Sequence, residues 1–373
     1  MAVDNRGRKL PKGIRQRSKN YEGRFTYQYK EYTVQGSTIA ETQKLMRELK
    51  YKLEHGLYVQ KHKMTYQEWF DTWLKEYKKN QVKIGTCESY RRCYECMIRD
   101  KMGSSYISDI RGEHIQKFYN TLVKEGYSIA SIQVVSAILN SSLQQAFVNG
   151  LIERNPVKLA QLPKQRNKKK GRLAMTKEQQ VLFMEYAKGS YLYNLFAIML
   201  RTGMRNGEMR GLRGTNIDKK EMVIHVKSTL KYIPGIGFID ESPKTKTSER
   251  DIPLTADILK LVEEQQKFWD FKIEKIDRYL FCDENGGPLP EGRIQAEIKR
   301  ITKRIRADGH EFPYITPHVF RHTFATRAIE AGMPPQVLKT IMGHSSLAMT
   351  MDLYSHVLPD TKAKEMDKIA NAF

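Results

Sequence analysis

Thr316-Pro-His-Val-Phe-Arg-His-Thr-Phe-Ala-Thr-Arg327 opens the decisive stretch of this chain; Met342-Gly-His344 and Leu353-Tyr-Ser-His356 complete it. Thr316 has the character of a helix N-cap, and Pro317 suits the first helical position, where a missing N–H costs nothing. His318 and Arg321 are three residues apart and therefore project from one helix face. A cation beside an imidazole suits an anionic oxygen, and in so basic a chain a phosphodiester is the obvious candidate. Tyr354 then serves as a nucleophile toward phosphorus.

Working outward, an apolar helix over Leu192–Leu200 leads into Thr202-Gly-Met-Arg205-Asn-Gly-Glu208-Met-Arg-Gly-Leu212. Between the two boxes lies Ser242-Pro-Lys244-Thr-Lys246-Thr-Ser-Glu-Arg-Asp-Ile-Pro253. The order of these motifs, with His-x-x-Arg-His, Gly-His and Tyr at the end, resembles the tyrosine recombinases, the lambda-integrase-like phage integrase family. The nearest likeness is to integrases of conjugative transposons and temperate phages.

The resemblance implies roles. Arg205 and Arg321 stabilise the charge on the phosphorane-like transition state, a task that suits a planar guanidinium fork. Lys244 is the hairpin lysine that protonates the leaving 5′ oxygen, with Lys246 as its rival because this turn is one residue longer than in some relatives. His318 assists as general base toward the tyrosine hydroxyl, and His344 donates a hydrogen bond to the scissile phosphate. Tyr354, one of 20 tyrosines, is the nucleophile, activated by these neighbours. Glu208, three residues after Arg205, has a supporting role in orienting active-site groups. The family chemistry calls for no metal and no cofactor.

Composition points the same way. The 373 residues carry a net charge of +22, with basic residues spread throughout, which argues for a polyanionic partner such as double-stranded DNA. No run approaches the roughly 20 apolar residues of a membrane span, and no signal-peptide pattern opens the chain. Cys93 and Cys96 form one Cys-x-x-Cys without a second pair, so Cys87, Cys93 and Cys96 read as thiols on a helical segment of a cytoplasmic protein.

The fold expected is mainly α with small β-sheets. Residues 1–60 alternate aromatic or branched with polar residues from Tyr21, then show Thr38 and Glu41 as a capping-box pattern ahead of a helix to about Glu54, with Gly56 as its stop. Residues 61–162 show helical periodicity: one helix from Thr65, another from Thr86, one over His114–Leu122 and one over Ser128–Val148. Residues 163–172 hold six cations and no acid in a Pro- and Gly-bounded linker. From 173 to 373 the chain mixes helices with strand-like pieces at Val223, Gly237–Asp240 and Asp251–Pro253. The resemblance makes these an arm-site DNA-binding module of ββα type, an all-α core-binding domain, a linker, and a mixed α/β catalytic domain with a C-terminal tail, clamped around DNA. Candidate DNA contacts are Arg24, Lys83, Arg91, Arg92, Lys246 and the linker cations Lys164, Arg166, Lys168, Lys169, Lys170 and Arg172.

The same resemblance implies a homotetramer on core and arm sites, with the tail packing in trans, and dependence on an excisionase and a DNA-bending host protein. A bacterial nucleoid location follows. Two rivals remain open at this point: a type IB topoisomerase with the same chemistry, and a silent architectural DNA-binding protein.

Overall fold

The computed structural model describes residues 5, 7, 9–55, 63–164, 174–241, 249–268 and 278–357. The chain divides into two compact units, 1–168 and 169–373.

The first unit opens with an antiparallel sheet of β1 (Ile14–Arg17), β2 (Asn20–Tyr27) and β3 (Lys30–Gly36), in the order β1-β2-β3. The two-residue β2–β3 turn sets Gln28 and Tyr29 at positive φ, as a turn matched to strand twist requires. Helix α1 (Ile39–Glu54) follows. Thr38 caps it by accepting from the Glu41 N–H, but Glu41 turns to the Ser37 N–H at 2.8 Å, one residue before the position a full capping box would use. Gly56, expected to stop this helix, lies outside the described residues.

The helical part of this unit begins with α2 (Tyr66–Thr72), where Thr65 and Glu68 form a complete capping box. It runs on into a π-helical stretch, Trp73–Lys78. Next, α3 (Ile84–Cys93) starts two residues before the expected Thr86 and passes through a second π-helical stretch, Tyr94–Ile98, into α4 (Arg99–Met102). Then come α5 (Gly112–Lys124) and α6 (Ile129–Val148), the latter capped by Ser128. Tyr66, Trp69, Phe70, Trp73, Tyr119 and Leu139 form the centre of their core. Two of the buried polar handles find partners: Trp69 Nε1 donates to the Ser142 carbonyl at 3.0 Å, and Tyr119 donates to Ser136 at 2.8 Å.

The second unit begins with α7 (Lys177–Ala187), which Thr176 and Gln179 cap reciprocally, then α8 (Tyr193–Thr202) and the short α9 (Asn206–Arg210). Two small antiparallel sheets follow. One joins β4 (Ile217–Asp218), β5 (Val223–Val226) and β8 (Arg250–Pro253); the other pairs β6 (Thr229–Ile233) with β7 (Gly237–Glu241). Helices α10 (Ala256–Phe268), α11 (Glu291–Ala307), α12 (Pro317–Glu330), α13 (Pro335–Met342) and α14 (Leu347–Val357) complete it. Phe320 of α12 stacks on Phe196 of α8 at 5.2 Å and meets Phe183 of α7 edge-on at 5.3 Å. This aromatic centre locks α8 against α12, and so sets the end of α8 beside the start of α12, where the two arginine boxes lie.

Candidate active site

Helix α8 ends at Gly203, whose φ of 63° lies in the left-handed region. A Cβ here would also run into the Phe324 ring and come within 3.0 Å of Met342 Sδ. The turn delivers Arg205 to the start of α9. Glu208 Oε2 accepts the Arg205 backbone N–H at 2.8 Å, and Oε1 accepts Arg205 Nη1 at 2.7 Å. The three-residue spacing read from sequence is thus the spacing that lets one carboxylate hold both the main chain and the guanidinium of Arg205. Arg210, at the far end of α9, is 3% exposed and donates to the Leu230 and Leu289 carbonyls at 3.0 and 3.2 Å, which fastens the short helix to β6.

Helix α13 supplies the other side. It ends in a Schellman turn: the Gly343 N–H donates to the Thr340 carbonyl and the His344 N–H to the Lys339 carbonyl, at 3.0 and 3.1 Å, with Gly343 at φ 62°. That turn leaves carbonyls at the helix end needing donors. Three arginines from three different elements take three successive ones. Arg250 Nε donates to Ile341 at 2.5 Å, Arg321 Nη2 to Met342 at 2.6 Å, and Arg205 Nη2 to Gly343 at 2.8 Å. Arg321 Nη1 also donates to the Gly203 carbonyl at 2.7 Å, which ties the two glycine turns together. The negative end of the α13 dipole thus faces the cations, the favourable sense.

Such crowding has an electrostatic cost. Burial of Arg321 lowers its pKa from the ordinary arginine value to about 9, helped by the Arg205 and Arg250 charges and opposed by Glu208. It remains a cation at neutral pH. Burial pushes Glu208 the other way, toward the neutral acid, but the Arg250 hydrogen bonds and the charges of Arg250 and Arg205 outweigh it, and its pKa falls below the usual glutamate value.

His344, buried in the turn after Gly343, has its Nδ1 2.9 Å from the Thr350 hydroxyl. Thr350 lies four residues before Tyr354 on α14, so one helix face holds the histidine and carries the tyrosine. Tyr354 packs, partly buried, against the small apolar cluster that includes Ala325, Leu338 and Leu353, and donates its hydroxyl to the Met333 carbonyl. Burial raises its pKa, so the phenol stays protonated. Pro317 occupies the first turn of α12 as expected, but Thr316 makes no side-chain cap bond. His318 and Arg321 share a face by spacing yet differ in burial: the His318 ring is exposed and lies 4.6 Å edge-on to His322, whereas Arg321 is 3% exposed.

Arg205, Glu208, Arg321 and His344 thus meet in one site, with Tyr354 on the helix that holds His344. Lys244 and Lys246 lie outside the described residues, as do Arg166, Lys168, Lys169, Lys170, Arg172 and the tail beyond Val357. Among the proposed DNA contacts that are described, Arg92 and Lys164 are exposed, Lys83 is half-buried, and Arg91 lies 3.6 Å from Asp71. Arg24 spends its Nε on Glu22 at 2.6 Å. Among the described residues no group of three or more His, Cys, Asp and Glu side chains is placed to hold a metal, and no helix is long and apolar enough to cross a membrane.

Sequence reading missed Arg250 and Thr350. Arg250 had a signal, because strand alternation puts it on the same inward face as Ile252, and an inward arginine demands partners. Thr350 had only its helical spacing to Tyr354.

The model of the phage integrase family matches residues 174–360, half of the chain, and a second model, the phage integrase N-terminal SAM-like domain, matches residues 65–123. This chain belongs to the phage integrase family. It is 26% identical to a tyrosine recombinase XerC-like protein of Caldanaerobacter subterraneus, over 91% of each chain. It is 24% identical to the transposase from transposon Tn916 of Enterococcus faecalis, over 98% of this chain and 96% of that one. Among solved structures, the Tn1549 transposon integrase in complex with a circular intermediate DNA aligns at a TM-score of 0.72 and 26% identity, over 82% of this chain and 99% of that one. Fold and family agree with the resemblance read from the motifs: a mainly helical phage integrase with small sheets.

Proposed function

We propose that this protein is a site-specific DNA recombinase that integrates and excises a mobile element through a 3′-phosphotyrosine intermediate. The observation that carries the reading is the seating of Arg205 and Arg321 on adjacent carbonyls at the end of α13, with His344 in the same turn. Each guanidinium is oriented by main-chain acceptors, and its remaining N–H donors serve the non-bridging oxygens of one phosphate.

In the reaction, Tyr354 Oη attacks phosphorus as its proton passes toward His318. The bond to the 5′ oxygen breaks, and that oxygen leaves as a hydroxyl with a proton from Lys244, or from Lys246 if the turn places it there. The phosphotyrosine conserves the bond energy for rejoining to a different 5′ hydroxyl. Tyr354 must first release the Met333 carbonyl, so its side chain turns toward the phosphate when DNA binds. Exchange between two duplexes passes through a Holliday junction and needs four active sites, which makes the working form a homotetramer on DNA. The tail beyond Val357 packs on a neighbouring protomer, residues 1–60 bind arm sites, residues 61–162 bind the core site, and 163–172 cross between domains. An excisionase and a host DNA-bending protein set direction, and the protein acts on the nucleoid in the cytoplasm.

A nicked suicide duplex carrying the element ends tests this. Wild type is expected to form a denaturant-resistant adduct that Tyr354→Phe abolishes, a loss on the order of a thousandfold or more. Tight binding with no adduct from either chain would overturn the reading in favour of an architectural protein. Relaxation of supercoils without strand exchange would favour a topoisomerase.

A further inference from the structure

We propose that Arg250 is a positioning residue of the catalytic centre, holding Arg205 through Glu208 and the His344 turn through the Ile341 carbonyl. Arg250 is the first residue of β8, directly after the segment that carries Lys244 and Lys246. Its side chain is 2% exposed and that of Glu208 is 3% exposed. Each Glu208 oxygen takes one bond from each arginine. Oε1 accepts from Arg205 Nη1 at 2.7 Å and Arg250 Nη1 at 3.2 Å; Oε2 accepts from the Arg205 backbone at 2.8 Å and Arg250 Nη2 at 2.9 Å. The carboxylate is a bridge: without Arg250 each oxygen keeps only its Arg205 bond, and the Arg205 guanidinium is left with Gly343 and a carboxylate anchored from one side. The third donor, Nε on Ile341, fixes the carbonyl two residues before Gly343, and a Cβ on Gly343 would come within 3.1 Å of Arg250 Nη1.

The geometry explains the residue type. Three acceptors in three fixed directions match a guanidinium fork, whereas an ammonium on a flexible stem satisfies them only by wandering. Stability alone does not explain it, since apolar side chains of similar volume often replace a buried ion pair at no loss. What an apolar pair cannot do is orient the fork of Arg205.

The activity arm of the test rests on the recombinase reading; a second arm does not. In DNA-free protein labelled with 15N-arginine, the Arg205 guanidinium of wild type is expected to rotate slowly. In Arg250→Met we expect that rotation to be about tenfold faster, and in Arg250→Lys intermediate. On the suicide duplex, Arg250→Met should cleave about a hundredfold more slowly in a single turnover with duplex affinity within about threefold, and Arg250→Lys should recover part of the rate. Because both side chains act through one bridge, Glu208→Gln/Arg250→Met should be within about threefold of Arg250→Met alone. An unchanged Arg205 signal in both variants would overturn the proposal, and so would multiplying defects in the double variant. If wild type forms no adduct while Arg205 loosens in Arg250→Met, the recombinase reading fails and the positioning role stands. Should Arg250→Met not fold, Arg250→Lys decides: an Arg205 signal and a cleavage rate both identical to wild type would refute the proposal.

Discussion

Two carboxylates in this molecule are each wrapped by arginines, and they are built to opposite ends. Glu22, on β2, gathers Arg15, Arg17 and Arg24 at 2.9, 3.6 and 2.6 Å, yet those side chains remain 43%, 69% and 41% exposed. Glu208 gathers Arg250, itself 2% exposed, and Arg205, 36% exposed, and the group closes against a helix end. In the first the carboxylate is itself only 3% exposed, but its arginines reach into solvent, where a phosphate can compete for them. In the second, burial forbids trading, so direction is kept whatever the solvent does. Arginines left half in water gain little from pairing and are screened by salt, whereas a pair with both partners dry is ruinous to break.

The sharpest way to break this contrast is Glu208→Leu. It leaves Arg250 buried without its carboxylate, and the expected loss is about 3–5 kcal/mol by urea unfolding. A loss below about 1 kcal/mol would mean the two clusters are of one kind. Acid makes the same point without mutation. Because the folded-state pKa of Glu208 is depressed, its stabilisation is present in full above the unfolded value of 4.5 and is lost as pH falls through the lower folded value. Unfolding midpoints should therefore fall as pH drops from 4.5 toward the folded value, and less steeply in Glu208→Gln. Next in size is Thr350→Val, which removes the hydroxyl 2.9 Å from His344 Nδ1. A loss of about 1–2 kcal/mol is expected, together with about tenfold slower cleavage. Cleavage at the wild-type rate would show that His344 is held in place without Thr350. Smallest is Glu22→Gln, expected to shift the melting temperature less than Glu208→Gln at every salt concentration. Its effect should appear instead in the salt dependence of DNA binding. A larger thermal shift than Glu208→Gln would reverse the comparison.

How much of this was legible in the chain depended on whether a residue acts through its neighbours in sequence. Arg205 and Glu208 are three apart, and their contact follows from helix geometry. Gly343 closes α13 in a left-handed turn, a conformation that suits the glycine of the Gly-His pair. Strand alternation marks Arg250 as inward, but its partners are 42 and 91 residues away, on α9 and α13, and only the fold brings them together. Burial also divides His318 from Arg321, since helical spacing states which face a residue shares and says nothing of what covers that face. The π-helical stretches after α2 and α3 had no sequence signal we could read.

The end of α13 carries a last consequence. The oxygens that seat Arg205, Arg250 and Arg321 belong to the peptide backbone of Ile341, Met342 and Gly343, so no side-chain replacement deletes them. An alanine scan would pass over half of this centre in silence. Its acceptors are exposed only by chemistry that edits the main chain, such as an ester in place of an amide, or by an insertion that shifts the helix end by one residue. Drift in the amino acids of α13 is cheap for such a site, while a change in its length is not.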